Sequence, residues 1–315
     1  MSGAAVQAQP AVLAKARSLG AAGAAWLDRL PGLVAELERR LSVQVVESLT
    51  GGTSAYVGLA RTADGDDVVL KVSVPDPDFA DEIGTLERAG GRGYVRLLAY
   101  DESERAMLLE ALGTSLDRSG LPPDEQIAIM ARLLAQAWTV PRAATGGSAE
   151  PIDKASSLAR LVRQNAGKTD HPFPPQVVDQ ALLYADRRVA AFRPDTCVLL
   201  HGDAAPANAL AARAPRPGAE TGYLLVDPDG FAGDPAYDVG VALRDWHPEL
   251  LAADDPGRLA RRYAELLAAG SGLDAQEIWE WGYLERVSTG LYVLAFGAID
   301  QARPFFRTAE LLLDA

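Results

Sequence analysis

The chain has 315 residues, 48% of them apolar, and its 30 basic against 43 acidic side chains give a formal net charge of −13. That length supports one large domain or two lobes with real cores. The acidic balance repels nucleic acid and anionic membrane and suits either a cationic ligand or simple solubility.

A single cysteine, Cys197, lies in an apolar run. It excludes an internal disulfide and a cysteine-rich metal site, and reads as a buried structural thiol. With only three histidines, His171, His201 and His247, a histidine zinc site is not expected. The amino-terminal MSGAAVQAQP has no basic stretch followed by an apolar one, so no signal peptide is expected. No apolar run approaches the ~20 residues of a spanning helix. A soluble cytoplasmic protein is the expectation.

Residues 1–41 are rich in Ala, Leu and Arg. Ala11 to Leu19 and Pro31 to Leu41 read as short helices, and Trp26, Leu27, Leu30, Leu33 and Leu37 recur at helical spacing, so this helical segment should pack against something. The character changes over residues 42–112. Val43 to Val46, Ala55 to Ala60 and Val68 to Val74 read as strands, with Asp64-Gly65-Asp66 as a hairpin turn. A helix follows from about Asp78 to Ala89, with Pro77 near its start and Gly90-Gly91 as its stop. Tyr94 to Tyr100 and Ala106 to Leu112 are two more strands. The order strand, strand, strand, helix, strand, strand is that of the small, nucleotide-binding lobe of a protein kinase.

Three features of this region could carry chemistry. Thr50-Gly51-Gly52-Thr53-Ser54 joins the first two strands. Its glycines would let backbone amides approach phosphate oxygens and its hydroxyls would add donors, although such a run also makes an ordinary turn. Lys71 stands alone inside an apolar strand. It is either an exposed-face lysine on an alternating strand or a buried ammonium that needs a partner, which in a kinase is nucleotide phosphate plus a helix glutamate. In the following helix Phe79, Ile83 and Leu86 mark the buried stripe, flanked by Glu82 on one side and Glu87 on the other. Periodicity does not choose between these two acids.

Residues 113–315 read as a larger lobe. Pro123 to Thr139, Lys154 to Asn165 and Pro175 to Phe192 show helical spacing, separated by an exposed loop from Pro141 to Pro151. Then comes the stretch on which a function can be built. An apolar run from Cys197 enters His201-Gly202-Asp203, and Asn208 follows five positions after the Asp. A turn at Pro215-Arg216-Pro217-Gly218 leads to a second apolar run that ends in Asp227-Pro228-Asp229-Gly230. Two strands joined in this way would gather Asp203, Asn208 and Asp227. Phosphoryl transfer from a magnesium nucleotide needs that set: one carboxylate for the acceptor hydroxyl, and an amide oxygen and a second carboxylate for the metal.

Beyond it, Asp234 suits the N-cap and Pro235 the first turn of a helix. Asp238 is either a third acid of the site or a support for the preceding loop. From Gln276 to Ile299, Trp279, Trp281, Tyr283 and Tyr292 alternate with Glu280 and Glu285. That pattern would suit a polycationic sugar or an ordinary helical core.

The run HGDAAPAN followed by VDPDG resembles the catalytic and metal-binding loops of the aminoglycoside phosphotransferases, small-molecule kinases with a protein-kinase-like fold. The resemblance spans about Trp26 to Leu243. Through WLDRLP, GGTSAYV, VLKVSVP, EIGTLERAGGRGYVRLLAYD, LLHGDAAPANAL and VDPDGFAGDPAYDVG it leans toward the streptomycin 6-phosphotransferases and hydroxyurea phosphotransferases. One departure is Ala204-Ala205-Pro206-Ala207, where many relatives have Leu-His-Pro-Gly.

The resemblance implies an α+β, two-lobe fold with a five-stranded antiparallel sheet and one helix in the first lobe and a mainly helical second lobe. It selects Glu82 as the partner of Lys71, and the Gly51, Gly52, Thr53, Ser54 loop for phosphate. It gives the Glu110 carbonyl and the Leu112 amide as adenine contacts at the hinge, and Asn208 and Asp227 as Mg²⁺ ligands. Asp203 becomes the group facing the acceptor hydroxyl, with His201 positioning its loop, and Asp238 a support for that loop's backbone.

The implied activity is transfer of the γ-phosphate of ATP to a hydroxyl of an aminoglycoside, streptomycin-like and cationic. The alternative on the same scaffold is a metabolic kinase acting on an amino sugar or another small alcohol. A nucleotide-binding module without catalysis is the remaining class, and the presence of Lys71, Asp203, Asn208 and Asp227 speaks against it.

Overall fold

The computed structural model describes the chain apart from residues 1–5, 51, 53, 76–78, 143–149, 168–172 and 296 and the side chains of residues 79 and 80. The chain divides into two compact units, Met1–Gly113 and Thr114–Ala315.

The first unit opens with helices α1 (Pro10–Ser18) and α2 (Ala21–Leu41). The sequence suggests a helix that begins at Pro31, yet α2 runs straight through that proline. An interior proline removes one backbone hydrogen bond and costs about 3 kcal/mol. The buried stripe Leu30, Leu33, Val34 and Leu37 crosses the break, and each such side chain contributes about 1.5–3 kcal/mol on burial. The stripe therefore outweighs the interruption.

Five strands follow: β1 (Val43–Ser48), β2 (Ala55–Thr62), β3 (Asp67–Ser73), β4 (Leu97–Asp101) and β5 (Ala106–Glu110), with α3 (Phe79–Ala89) between β3 and β4. They form one antiparallel sheet in the order β1-β2-β3-β5-β4. The α2 stripe packs with Val45, Tyr56, Leu70, Val72 and Leu108 of the sheet. Side chains alternate along a strand, so with Leu70 and Val72 on that face Lys71 points to the other.

The second unit is mainly helical: α4 (Pro123–Ala137), α5 (Lys154–Ala166), α6 (Pro175–Ala191), α7 (Pro235–Leu243), α8 (His247–Ala252), α9 (Pro256–Ser271), α10 (Ala275–Ala295) and α11 (Ile299–Leu311). Two small antiparallel pairs interrupt it. β6 (Val198–Leu199) pairs with β9 (Ala232–Gly233), and β7 (Ala209–Ala211) pairs with β8 (Tyr223–Leu225). The β7–β8 hairpin is the one expected from the Pro-Arg-Pro-Gly turn.

Helix α10 lies at the centre, touched by α5, α6, α7, α9 and α11. Every residue from Ile278 to Ser288 is buried, the mark of a helix packed on all sides. Its aromatics are core: Trp279 Nε1 donates to the Tyr184 hydroxyl (3.1 Å), Trp281 Nε1 to Asp234 Oδ2 (2.9 Å) and the Tyr283 hydroxyl to the Ala309 carbonyl (3.2 Å). Glu280 is committed to Arg187 (3.1 Å) and Arg188 (2.7 Å) of α6. Of the two readings of this stretch, the core one holds for these residues.

Helices α7 and α10 meet nearly backbone to backbone. A Cβ at Gly240 would lie 2.4 Å from Trp281 Cβ and 2.9 Å from the Gly282 nitrogen, so only glycine permits this crossing. Among the described residues no helix is long and apolar enough to cross a membrane.

Candidate active site

In the second unit the site is built on two loops, and a fully buried histidine ties them together. The loop after β6 carries His201, Gly202 and Asp203; the loop after β8 carries Asp227 and Asp229. His201 Nε2 lies 2.8 Å from the Val226 carbonyl, and its Nδ1 accepts from the Asp203 amide (3.1 Å). Those two partners together require the neutral ring with its proton on Nε2. The His201 carbonyl also accepts from the Asp229 amide (2.7 Å). His201 therefore ties the two loops together through its bonds to Val226 and Asp229, while the bond to the Asp203 amide shapes its own loop.

Beneath it, Asp238 of α7 accepts from the backbone amides of His201 (2.9 Å) and Gly202 (2.9 Å) and from Trp138 Nε1 (3.0 Å). Burial pushes the Asp238 carboxyl upward, against donors that favour the charged form. Its oxygens are spent on the loop, which is the supporting role. Asp234 caps α7 by accepting from the Ala236 amide, with Pro235 in the first turn.

Gly202 has φ +93°, and a Cβ there would lie 2.6 Å from Asp229 Cβ and 2.8 Å from Phe231 Cε1. Handedness and space both demand glycine. Asp227 itself sits in the left-handed region at φ 58°, a conformation that Asp tolerates better than most residues and that concentrates at functional positions.

Asn208 ends a short 3-10 turn, Pro206–Asn208. Its Nδ2 donates to the Asp203 carbonyl (2.8 Å) and approaches Asp203 Oδ2 (3.3 Å), and its carbonyl accepts from the Val226 amide (2.9 Å). Among the described residues Asn208 Oδ1 makes no hydrogen bond, so that oxygen remains for a ligand. Asp203 and Asp227 are both exposed. An amide oxygen and an exposed carboxylate are hard donors that fit a divalent cation sharing its coordination with phosphate and water. Among the described residues no group of three or more His, Cys, Asp or Glu side chains forms a cage that would hold a metal by itself.

Asp203 has a partner that the sequence did not reveal. Arg244, just past the end of α7, places Nη2 3.1 Å from Asp203 Oδ1 and Nη1 3.2 Å from Glu285 Oε2 of α10. Partial desolvation by the surrounding protein opposes the Asp203 charge, and the Arg244 guanidinium, with the Asn208 amide, outweighs it, so the carboxyl lies below its ordinary range. Burial likewise opposes the Arg244 charge, and Asp245, Glu285 and Asp203 overcome it, raising the guanidinium above its usual value. An arginine at a helix C-terminus reads from sequence as an ordinary dipole partner. The remaining signal was Glu285 itself, an acid set among the aromatic residues of α10, which needs a cation once it is buried.

Within the first unit, taken by itself, one buried ion pair stands out among the described residues. Lys71 Nζ of β3 lies 2.6 Å from Glu82 Oε1 of α3. Glu87, the other candidate, is exposed and hydrogen-bonds to Tyr100. Of the loop between β1 and β2, Gly51 and Thr53 lie outside the described residues; Ser54 holds the start of the sheet by accepting the Val74 amide on its carbonyl (2.8 Å). Glu110 ends β5, where its amide donates to the Arg96 carbonyl (3.1 Å) and its side chain accepts from the Arg96 amide (2.9 Å). Leu112 follows as a half-buried residue.

Residues 39–297 match the family of aminoglycoside/hydroxyurea antibiotic resistance kinases. The chain belongs to this family. It is accordingly a phosphotransferase of the aminoglycoside/hydroxyurea kinase type.

Like-for-like relatives sit at about a third identity. The chain is 30% identical over 300 residues to a streptomycin 6-kinase of Streptomyces glaucescens, covering 93% of each. It is 32% identical over 298 residues to a hydroxyurea phosphotransferase of Kitasatospora aureofaciens, covering 93% of this chain and 82% of the relative.

Solved structures share the kinase-like fold at low identity. Choline kinase LicA of Streptococcus pneumoniae matches with a TM-score of 0.60 at 14% identity over 91% of this chain and all of the other. An aminoglycoside phosphotransferase of Streptomyces rimosus, solved with ADP and streptomycin, matches with a TM-score of 0.54 at 18% identity over 82% of this chain and 98% of the other.

Proposed function

We propose that this family member uses ATP and Mg²⁺ to phosphorylate a hydroxyl of a cationic, streptomycin-like aminoglycoside. The observation that carries the proposal is the His201 bridge to the Val226 carbonyl and the Asp229 amide, which ties the loop bearing Asp203 and Asn208 to the loop bearing Asp227. Support for the acceptor comes from the streptomycin 6-kinase relative and from the net charge of −13, which favours a cationic ligand.

In this reading Lys71, oriented by Glu82, holds the α- and β-phosphates, and the loop at Gly51, Gly52, Thr53 and Ser54 covers them. The Glu110 carbonyl and the Leu112 amide meet the adenine ring. Asn208 Oδ1 and the Asp227 carboxylate hold Mg²⁺, which when bound neutralises charge on the phosphates. Asp203 orients the acceptor hydroxyl and takes its proton as the oxygen bonds to the γ-phosphorus. The bond from that phosphorus to the β-phosphate oxygen breaks, and ADP leaves. No covalent enzyme intermediate is needed; alignment and charge neutralisation lower the barrier.

The test is acceptor-dependent ADP release by the purified protein with Mg·ATP and a panel of streptomycin, other aminoglycosides, glucosamine and hydroxyurea. Release with streptomycin is expected. Release with glucosamine alone would replace the aminoglycoside by an amino sugar, and release with hydroxyurea alone would move the chain to the other branch of its family.

A further inference from the structure

Taking the kinase reading as given, we propose that Arg244 is the positioning residue of Asp203, and that Glu285 of α10 holds Arg244 in that position. The Asp203 side chain is 51% exposed, so packing does not choose among its staggered rotamers. Its orientation rests on two hydrogen bonds: a long one from Asn208 Nδ2 to Oδ2 (3.3 Å) and one from Arg244 Nη2 to Oδ1 (3.1 Å).

Arg244, by contrast, is anchored. Its side chain is only 13% exposed. Nη1 donates to Glu285 Oε2 (3.2 Å) and to Thr289 Oγ1 (3.2 Å), and Nε lies 3.7 Å from Asp245 Oδ1. Glu285 is fixed in turn by Thr289 Oγ1 (3.3 Å) and by the Tyr237 hydroxyl. The glycine crossing at Gly240 locks α7 to α10, so the carboxylate and the guanidinium it holds cannot drift apart. A path of hydrogen bonds thus runs from the buried middle of α10 to the exposed Asp203 carboxylate.

The chemistry of the guanidinium fits this task. Its planar fork addresses two carboxylates from two edges at once, which a lysine ammonium does not. A cation present only to neutralise Glu285 would satisfy it through Nη1 and leave Nη2 to water. Here Nη2 is spent on Asp203. Losing this hold lets the carboxylate swing away from the acceptor hydroxyl, and a displacement of about 1 Å at a reacting group costs on the order of 100-fold in rate.

The test compares Arg244→Met, Arg244→Lys and Glu285→Gln, each in the wild-type and the Asp203→Asn background, by acceptor-dependent ADP release. Arg244→Met is expected to lower kcat about 100-fold with KM for ATP unchanged, and to add nothing to Asp203→Asn, because residues acting through one another are non-additive. Glu285→Gln should follow the same pattern more weakly, and Arg244→Lys should not restore the rate.

An equal loss in both backgrounds would make Arg244 independent of Asp203 and overturn the proposal. If Arg244→Met does not fold, Arg244→Lys carries the same comparison. A crystal structure of either variant decides the matter separately: the Asp203 carboxylate is expected to leave its wild-type rotamer, and an unmoved carboxylate overturns the proposal. That readout stands even if the wild-type protein is silent with every acceptor, a result that would sink the kinase reading instead.

Discussion

Lys71 Nζ and Glu82 Oε1 are 2.6 Å apart, and only 8% and 10% of the two side chains reach solvent. A pair this buried contributes little net stability while both charges are present, but removing one partner strands the other and costs about 3–5 kcal/mol. Glu82→Gln is therefore expected to lower the urea midpoint sharply. Lys71→Met with Glu82→Leu, which removes both charges, should recover most of that loss and still bind ATP poorly. If the single and double variants unfold together, the pair does not carry the cost assigned to it.

Asp203 and Asp227 should separate in kinetics. Asp203→Asn removes the proton acceptor while keeping shape, and loss of a general base costs about 10²–10⁴-fold in turnover; ATP binding by calorimetry should change little. Asp227→Asn removes a negative ligand for the metal, so its first effect should be a raised KM for ATP. A wild-type rate in Asp203→Asn would remove that residue from the reaction.

Much of this molecule was legible in sequence because its signals are local. Alternation at Leu70, Lys71 and Val72 places the lysine opposite the α2 core, and His201, Asp203, Asn208 and Asp227 sit at the ends of apolar runs. What was not legible depends on contacts distant in sequence. Spacing alone left Glu82 and Glu87 equivalent; the difference is that α3 turns the Glu82 side toward β3 and leaves Glu87 in solvent. Pro31 reads as a helix start because the rule is local, whereas the stripe that carries α2 through it is buried by strands some 15 to 75 residues onward, from Val45 to Leu108. Arg244 was hidden for the same reason: its meaning comes from Glu285, 41 positions away.

The Gly202 turn gives a sharp steric test. With φ +93° and less than 3 Å to both Asp229 Cβ and Phe231 Cε1, Gly202→Ala adds conformational strain of about 1–3 kcal/mol and a clash. The melting temperature should fall, and the rate with it, because Asp203 is the next residue. Gly32→Ala in α2 is the control: nothing lies within 4 Å of its added methyl, and alanine is favoured over glycine in a helix by about 0.5–1 kcal/mol. Equal melting temperatures for the two variants would contradict this account.

His247 should make stability depend on pH. Its Nδ1 faces Arg286 Nη1 (2.9 Å) and Thr308 Oγ1 (3.2 Å). Burial, then the charges of Arg286 and Arg244, push its pKa from 6.5 down to about 3. Between those values the unfolded chain binds a proton that the folded chain refuses. Its contribution is therefore fully present above pH 6.5 and is lost as pH falls toward 3, at about 1.4 kcal/mol per pH unit for one proton. Urea unfolding across that window should show stability falling with pH in the wild type, and a slope shallower by about this amount in His247→Gln, where nothing titrates. Parallel slopes in the two proteins would mean that another group carries the acid sensitivity and that His247 is not held neutral by its neighbours.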